Sequence, residues 1–249
     1  MHAFSEYIAN DRRDKWVEIG CPVLIFCMFV AIYFIPSLNS YEAFKSYLES
    51  TDGTAKIFIS ILPSQVLFLA GQLLAAFFAS RQTTLREKLG LINWRSAYIP
   101  QAFKLELVLI FPILLTAALS FYTMKYFGYD FSSSPILEFL KKADTGGIIV
   151  IFIFSVFVAP VIEEIAFRRV VFTFLARIFG STPSILLTSF VFACMHGGFV
   201  QLIPLFILSL ALQHLYIKNN SLFPSILLHC FHNTIVMLLF IISKTSLHL

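Results

Sequence analysis

Charge is what this sequence has least of. Asp, Glu, Lys and Arg together make 13% of its 249 residues, about half the share of an ordinary soluble domain. Hydrophobic residues make 58%, and 29 of them are phenylalanine. That imbalance excludes a soluble globular fold and leaves a polytopic membrane protein. The net charge of +4 is then no sign of nucleic acid, because basic residues in such chains set topology. Cysteine is also sparse. Cys21, Cys27, Cys194 and Cys230 lie in or beside apolar runs, form no C-x-x-C pair, and point to neither a disulfide framework nor a zinc knuckle. An H-E-x-x-H signature, an internal repeat and a soluble domain able to fold alone are all missing. The apolar run 19–35 follows Arg12, Arg13 and Lys15 but exceeds a signal-peptide core and ends without a small-x-small site. It reads as a retained first helix.

A membrane-spanning helix takes about 20 apolar residues, and on that measure the chain predicts an all-α bundle of about seven spans. They run from Glu18 to Pro36, Ile57 to Ala79, Leu105 to Tyr126, Gly147 to Leu175, Pro183 to His196, Val200 to Ile217, and Leu222 to Ile242. Short interfacial segments are expected at 80–90 and around Ile136–Lys142. With the N-terminus in the cytoplasm, twelve of the eighteen basic residues fall on the inner side, as the positive-inside rule requires. The whole chain reads as one integral membrane domain. Residues 1–146 supply the first helices and connectors, and 147–242 the half that carries chemistry.

Three places in that half put polar groups where a bilayer penalises them. The first is Glu163-Glu164 with Arg168, which facing lipid would cost on the order of 8–10 kcal/mol. Glu164 and Arg168 are four apart and share a helix face, so they form an internal pair. Glu163 is turned about 100° away and has no local basic partner. The second is His196, at the end of the short fifth run. The third is His229 with Asn233, one turn apart on the last helix. At about 1.5 Å per residue, all four reach similar levels inside the bilayer. Bland readings fit the neighbours. Phe192 packs, His232 bonds between helices, and Arg169 and Arg177 extend toward lipid headgroups.

Glu163-Glu164-x-x-x-Arg168, Phe192-x-x-x-His196 and His229-x-x-x-Asn233, in that order on three apolar helices, resemble the three motifs of the CPBP family. That family includes Rce1-type CAAX proteases and the bacteriocin-processing or self-immunity (Abi) group. The resemblance covers about Gly147 to Ile242, with Leu89-Gly90-Leu91 a weaker further match. It implies an intramembrane glutamate endopeptidase without metal or cofactor. In it, Glu163 and His196 activate water, His229 and Asn233 hold the oxyanion, and Glu164 and Arg168 support them. The implied partners are a membrane-associated peptide or protein substrate and the bilayer, with no nucleic acid. Compact length and short loops fit a bacterial cytoplasmic-membrane member.

Two rivals remain at this level. Glu163, His196, His229 and His232 are the right types for a zinc site, and the same cluster on a non-proteolytic membrane partner or immunity protein would only stabilise the bundle. Under the glutamate reading, cleavage by the purified protein survives strong chelation, and metal analysis of that preparation shows no stoichiometric zinc. Loss of activity with the metal selects the zinc set instead.

Overall fold

The computed structural model describes residues 66, 69–72, 84–129, 143–196 and 198–246. The first expected span, most of the second, and the segment around Ile136–Lys142 lie outside these residues. Within them every regular element is helical. A four-residue helix, α1 (Leu85–Lys88), precedes α2 (Tyr98–Tyr126), α3 (Thr145–Phe179), α4 (Ser181–Met195), α5 (Phe199–Asn219) and α6 (Phe223–Ser246). Four of these, α2, α3, α5 and α6, are long and apolar enough to cross a membrane.

Helix α2 begins seven residues before the expected Leu105, because Gln101 and Lys104 interrupt the apolar run without interrupting the helix. Pro100 is harmless there, since first-turn N–H groups have no intrahelical partner anyway. The expected fifth span, α4, has 15 residues. At about 1.5 Å per residue that is about 22 Å, short of a hydrocarbon core of about 30 Å. Helix α4 therefore rises partway and stops with His196 inside the bundle. Gly180, at φ 81°, makes the reversal from α3 into α4.

Helix α3 is not uniform. Residues Phe154–Val158 and Ile165–Phe172 are wound as π-helix, and the α-helical turn and a half between them, Ala159–Glu164, carries both glutamates. Pro160 helps explain the first π segment. A proline inside a helix lacks its N–H and crowds the preceding turn. Here the Ala159 N–H bonds to Phe154 O, five residues back. The next pair in that register, Pro160 with Ser155 O, has no donor. Asn233 of α6 supplies one, its Nδ2 donating to Ser155 O at 2.7 Å. At the other junction Gln72 Nε2 donates to Ile162 O at 3.0 Å. Side-chain amides from two other segments thus satisfy main-chain carbonyls at both ends of the glutamate turn.

Helix α2 packs on α5 and α6, α4 on α5, and α6 on the first half of α3. One end of the bundle is tied by the segment after α1. Leu222 N donates to Gly90 O at 3.2 Å, Ser221 Oγ to Ile92 O at 2.7 Å, and Trp94 stacks edge-on against Phe223 at 5.2 Å. This clasp joins the α1–α2 connector to the α5–α6 turn. Helix α1 is closed by a capping box in which Thr84 Oγ1 accepts from Glu87 N and the Glu87 carboxylate accepts from Thr84 N. Those hydrogen bonds from Thr84, the backbone one first, hold the Glu87 carboxyl below its ordinary range. Its contribution is therefore present above the ordinary carboxylate pKa and is lost as pH falls through the lowered one. Arg169, expected near headgroups, is instead buried at 2% exposure, with Gly90 close to its stem.

Gly90 combines a left-handed φ of 73° with close neighbours: an added Cβ would lie 3.2 Å from Leu222 and 3.4 Å from Arg169. Gly128 shares the left-handed φ, but among the described residues an added Cβ there would have nothing within 4 Å. Gly128→Ala should cost only the conformational strain, about 1–2 kcal/mol. Gly90→Ala should cost that and the displaced packing, and so lower the melting temperature further. Thermal unfolding of the two variants in detergent, followed by helical circular dichroism, reads the difference.

Candidate active site

Arg168 and Glu164 form an ion pair at 3.1 Å with both side chains at 0% exposure. The pair expected from the sequence is present, and it has more partners than expected. Arg168 Nη2 donates to Ser209 Oγ of α5 at 2.9 Å, and the guanidinium lies 4.6 Å over the Phe192 ring. A cation is favoured against an aromatic face, most of all when both are desolvated. The same Glu164 Oε1 that meets Arg168 is 3.0 Å from His229 Nδ1. One buried carboxylate oxygen thus ties together two turns of α3 and the middle of α6.

Phe192 is fully buried, as a packing residue should be, but its neighbours give it a larger part. Its ring lies 4.5 Å from that of His196, 5.9 Å from that of His229 and 5.0 Å from that of Phe167. The phenylalanine fills the space beneath both histidines and stands against Arg168. It sets where the two imidazoles can lie.

Glu163 occupies the opening above this layer. Its side chain is 21% exposed, and its Oε2 lies 3.6 Å from His196 Nε2 and 3.8 Å from His229 Nε2. Both separations exceed a direct hydrogen bond, so the three groups surround a common point without closing on it. The other ring nitrogens are committed. His196 Nδ1 stands 2.7 Å from Phe192 O; a backbone carbonyl only accepts, so Nδ1 carries the proton. In neutral His196, Nε2 is then an acceptor turned toward Glu163. His229 Nδ1 donates to the Glu164 carboxylate. Its Nε2 is an acceptor in the neutral ring and becomes a donor in the imidazolium.

The structure thus brings Glu163, His196 and His229 to one point, with Glu164 and Arg168 beneath them. Asn233 lies one turn beyond His229 and anchors on Ser155 O, using one of its two amide N–H groups. His232, a member of the alternative zinc set, turns elsewhere: its Nδ1 is 3.1 Å from Glu106 Oε1 of α2. Among the described residues, no three His, Cys, Asp or Glu side chains converge as metal ligands.

Two residues escaped the sequence reading. Glu106 is the lone acid of α2 and sits on its narrow buried stripe with Tyr98, Ala102 and Ile113. A single carboxylate in an apolar run was the signal for it. Gln72 had no such signal, since a neutral amide in an apolar run carries little penalty and no motif.

Apolar helices packed around a buried glutamate–histidine centre define a class, the helical integral membrane proteins. Residues 145–235 match the family model described as Type II CAAX prenyl endopeptidase Rce1-like. The match covers a little over a third of the chain and marks its second half as similar to that Rce1-like family. Four apolar helices and that match make the chain an integral membrane protein, and the matched family implies a protease with a peptide or protein substrate in the membrane. The match gives no support to a role in bacteriocin immunity. No curated protein and no solved structure gives a significant match to the chain.

Removing one member of a buried ion pair strands the other, at a cost of about 3–5 kcal/mol. Arg168→Met should destabilise the protein by that order, and adding Glu164→Gln should recover part of the loss. Denaturant unfolding of the two singles and the double in one detergent measures the coupling.

Proposed function

We propose that the protein is an intramembrane endopeptidase in which Glu163 and His196 activate a water molecule and His229 and Asn233 stabilise the oxyanion. The observation that carries this reading is the contrast between the two glutamates. Glu164 is buried and bound to Arg168 and His229, whereas Glu163 is partly exposed with two imidazole Nε2 atoms turned toward it.

A water between Glu163 Oε2 and His196 Nε2 meets two acceptors and can donate a proton to each. Its oxygen lone pairs then point toward a substrate carbonyl. As that oxygen attacks the peptide carbon, Glu163 takes the proton and the carbonyl oxygen gains the negative charge. His229, held by Glu164 at Nδ1, offers Nε2–H to that oxygen in its imidazolium form. The second N–H of Asn233 is the other donor. Donors fixed beforehand beside the developing charge are most effective where bulk water is kept out. When the tetrahedral intermediate collapses, the C–N bond breaks and the proton on Glu163 passes to the leaving amine. A carboxylic acid and an amine result.

The substrate is a peptide presented at or within the bilayer, cut near the cytoplasmic half with the N-terminus of the enzyme inside. A prenylated C-terminal peptide fits only in an organism that prenylates proteins. A signal, pheromone or bacteriocin-type peptide fits a bacterial cytoplasmic membrane.

Losing a positioned general base typically costs a factor of about 10²–10⁴ in rate. Glu163→Gln should therefore abolish detectable cleavage while the protein stays folded and inserted. Comparing membrane peptide termini from cells carrying wild type and this variant should show termini present only with wild type. An identical set, with equal protein levels, would leave a non-enzymatic membrane partner as the reading.

A further inference from the structure

Glu106 and His232 form a second buried acid–histidine pair, apart from the three-residue centre and unused by the chemistry above. Glu106 is at 0% exposure and His232 at 5%, and Glu106 Oε1 stands 3.1 Å from His232 Nδ1. The second carboxylate oxygen, Oε2, has no hydrogen-bond partner among the described residues. An ionisable side chain kept inside an apolar bundle with half its acceptor capacity unused is costly. A purely structural contact between α2 and α6 is made more cheaply by apolar residues, which already surround the pair as Ala102, Ile113 and Leu228.

What the pair adds over apolar packing is direction. On α6, successive residues turn by about 100°. His232 therefore points about 60° to one side of His229, and Asn233 about 40° to the other. Both flanking side chains are held by hydrogen bonds to different helices, His232 by Glu106 of α2 and Asn233 by Ser155 O of α3. His229 sits between these two holds and faces Glu163 and Glu164. Removing either hold lets α6 roll within what its packing and the His229–Glu164 bond still allow. At a helix radius of about 5–6 Å, a roll of about 10° moves a side-chain tip by about 1 Å. A 1 Å misplacement is enough to cost a factor of about 10² in rate.

We propose that Glu106 and His232 are positioning residues: their buried hydrogen bond fixes the rotation of α6, and through it the placement of His229 and Asn233 against Glu163. For its catalytic consequence the inference rests on the endopeptidase reading, but its structural core does not. The test keeps the two apart. Selective ¹⁵N-histidine labelling of the full chain in detergent micelles reports the ring nitrogens of His196, His229 and His232. Each is assigned by its own glutamine substitution. Glu106→Gln still accepts from His232 Nδ1–H and should leave the His229 ring signals as in wild type. Glu106→Leu should shift or broaden the His229 signals as well as those of His232, with helical content retained. If Glu106→Leu does not fold, His232→Leu and His232→Asn repeat the comparison, the asparagine amide standing in for Nδ1–H.

In the cellular peptide-terminus assay, Glu106→Leu should lower the yield of wild-type-specific termini about 10- to 100-fold, and Glu106→Gln should restore it. His229 signals unchanged in a folded Glu106→Leu or His232→Leu protein overturn the positioning role, as does a glutamine variant no better than leucine. The ring signals need no substrate, so they decide the question even if Glu163→Gln shows the protein not to be a protease.

Discussion

The Oε1 oxygen of Glu164 is the point on which the site depends. It meets Arg168 on its own helix and His229 on another, with water kept from all three. A buried carboxylate needs a counter-charge, and Arg168 provides it. With charge neutralised and the acceptor still available, Glu164 can hold His229 by Nδ1 and leave Nε2 aimed at the centre. The conspicuous charges near Glu163 thereby converge on one histidine, His229. Arg168 in turn needs Ser209 and the face of Phe192, so the support reaches through α4 and α5 before it ends.

Membership of the class was legible in the sequence, since charged and polar groups in apolar runs carry an energetic penalty that makes them visible. The positions of Glu163, Glu164, Arg168, His196, His229 and Asn233 all came from that penalty and from the order of the motifs. Their partners did not. Spacing of four residues pairs Glu164 with Arg168, but no periodicity within one helix can show that the same oxygen reaches α6. Phe192 looked like filler because aromatic residues are abundant here, and only the packing shows three site residues on its ring. Arg169 was placed at headgroups because a basic residue near a helix end usually snorkels. The clasp around Gly90, close to the Arg169 stem, is formed by residues about 50 to 80 positions away.

Boundaries were read well where the apolar run and the helix coincide and less well where they do not. Helix α2 starts early because polar residues at a helix end do not stop a helix. Helix α4 matches its expected limits closely, yet its length gives it a different meaning from the other runs. A 15-residue helix brings a histidine to the interior and ends there.

The two π-wound stretches of α3 have a consequence for how this chain can change. Each wide turn absorbs one residue more than an α-helical turn of the same rise. Phe157, at 56% exposure, sits in the first of these stretches and faces outward, where exchange for another apolar side chain touches nothing in the site. Losing one residue from Phe154–Val158 would close the wide turn to an α-helical one and leave its two flanks nearly in phase, so the change falls on the Ser155 carbonyl that Asn233 holds rather than on the direction of Glu163. This part of the helix is a spacer, open to substitution on its outer face and able to take up the loss of one residue locally.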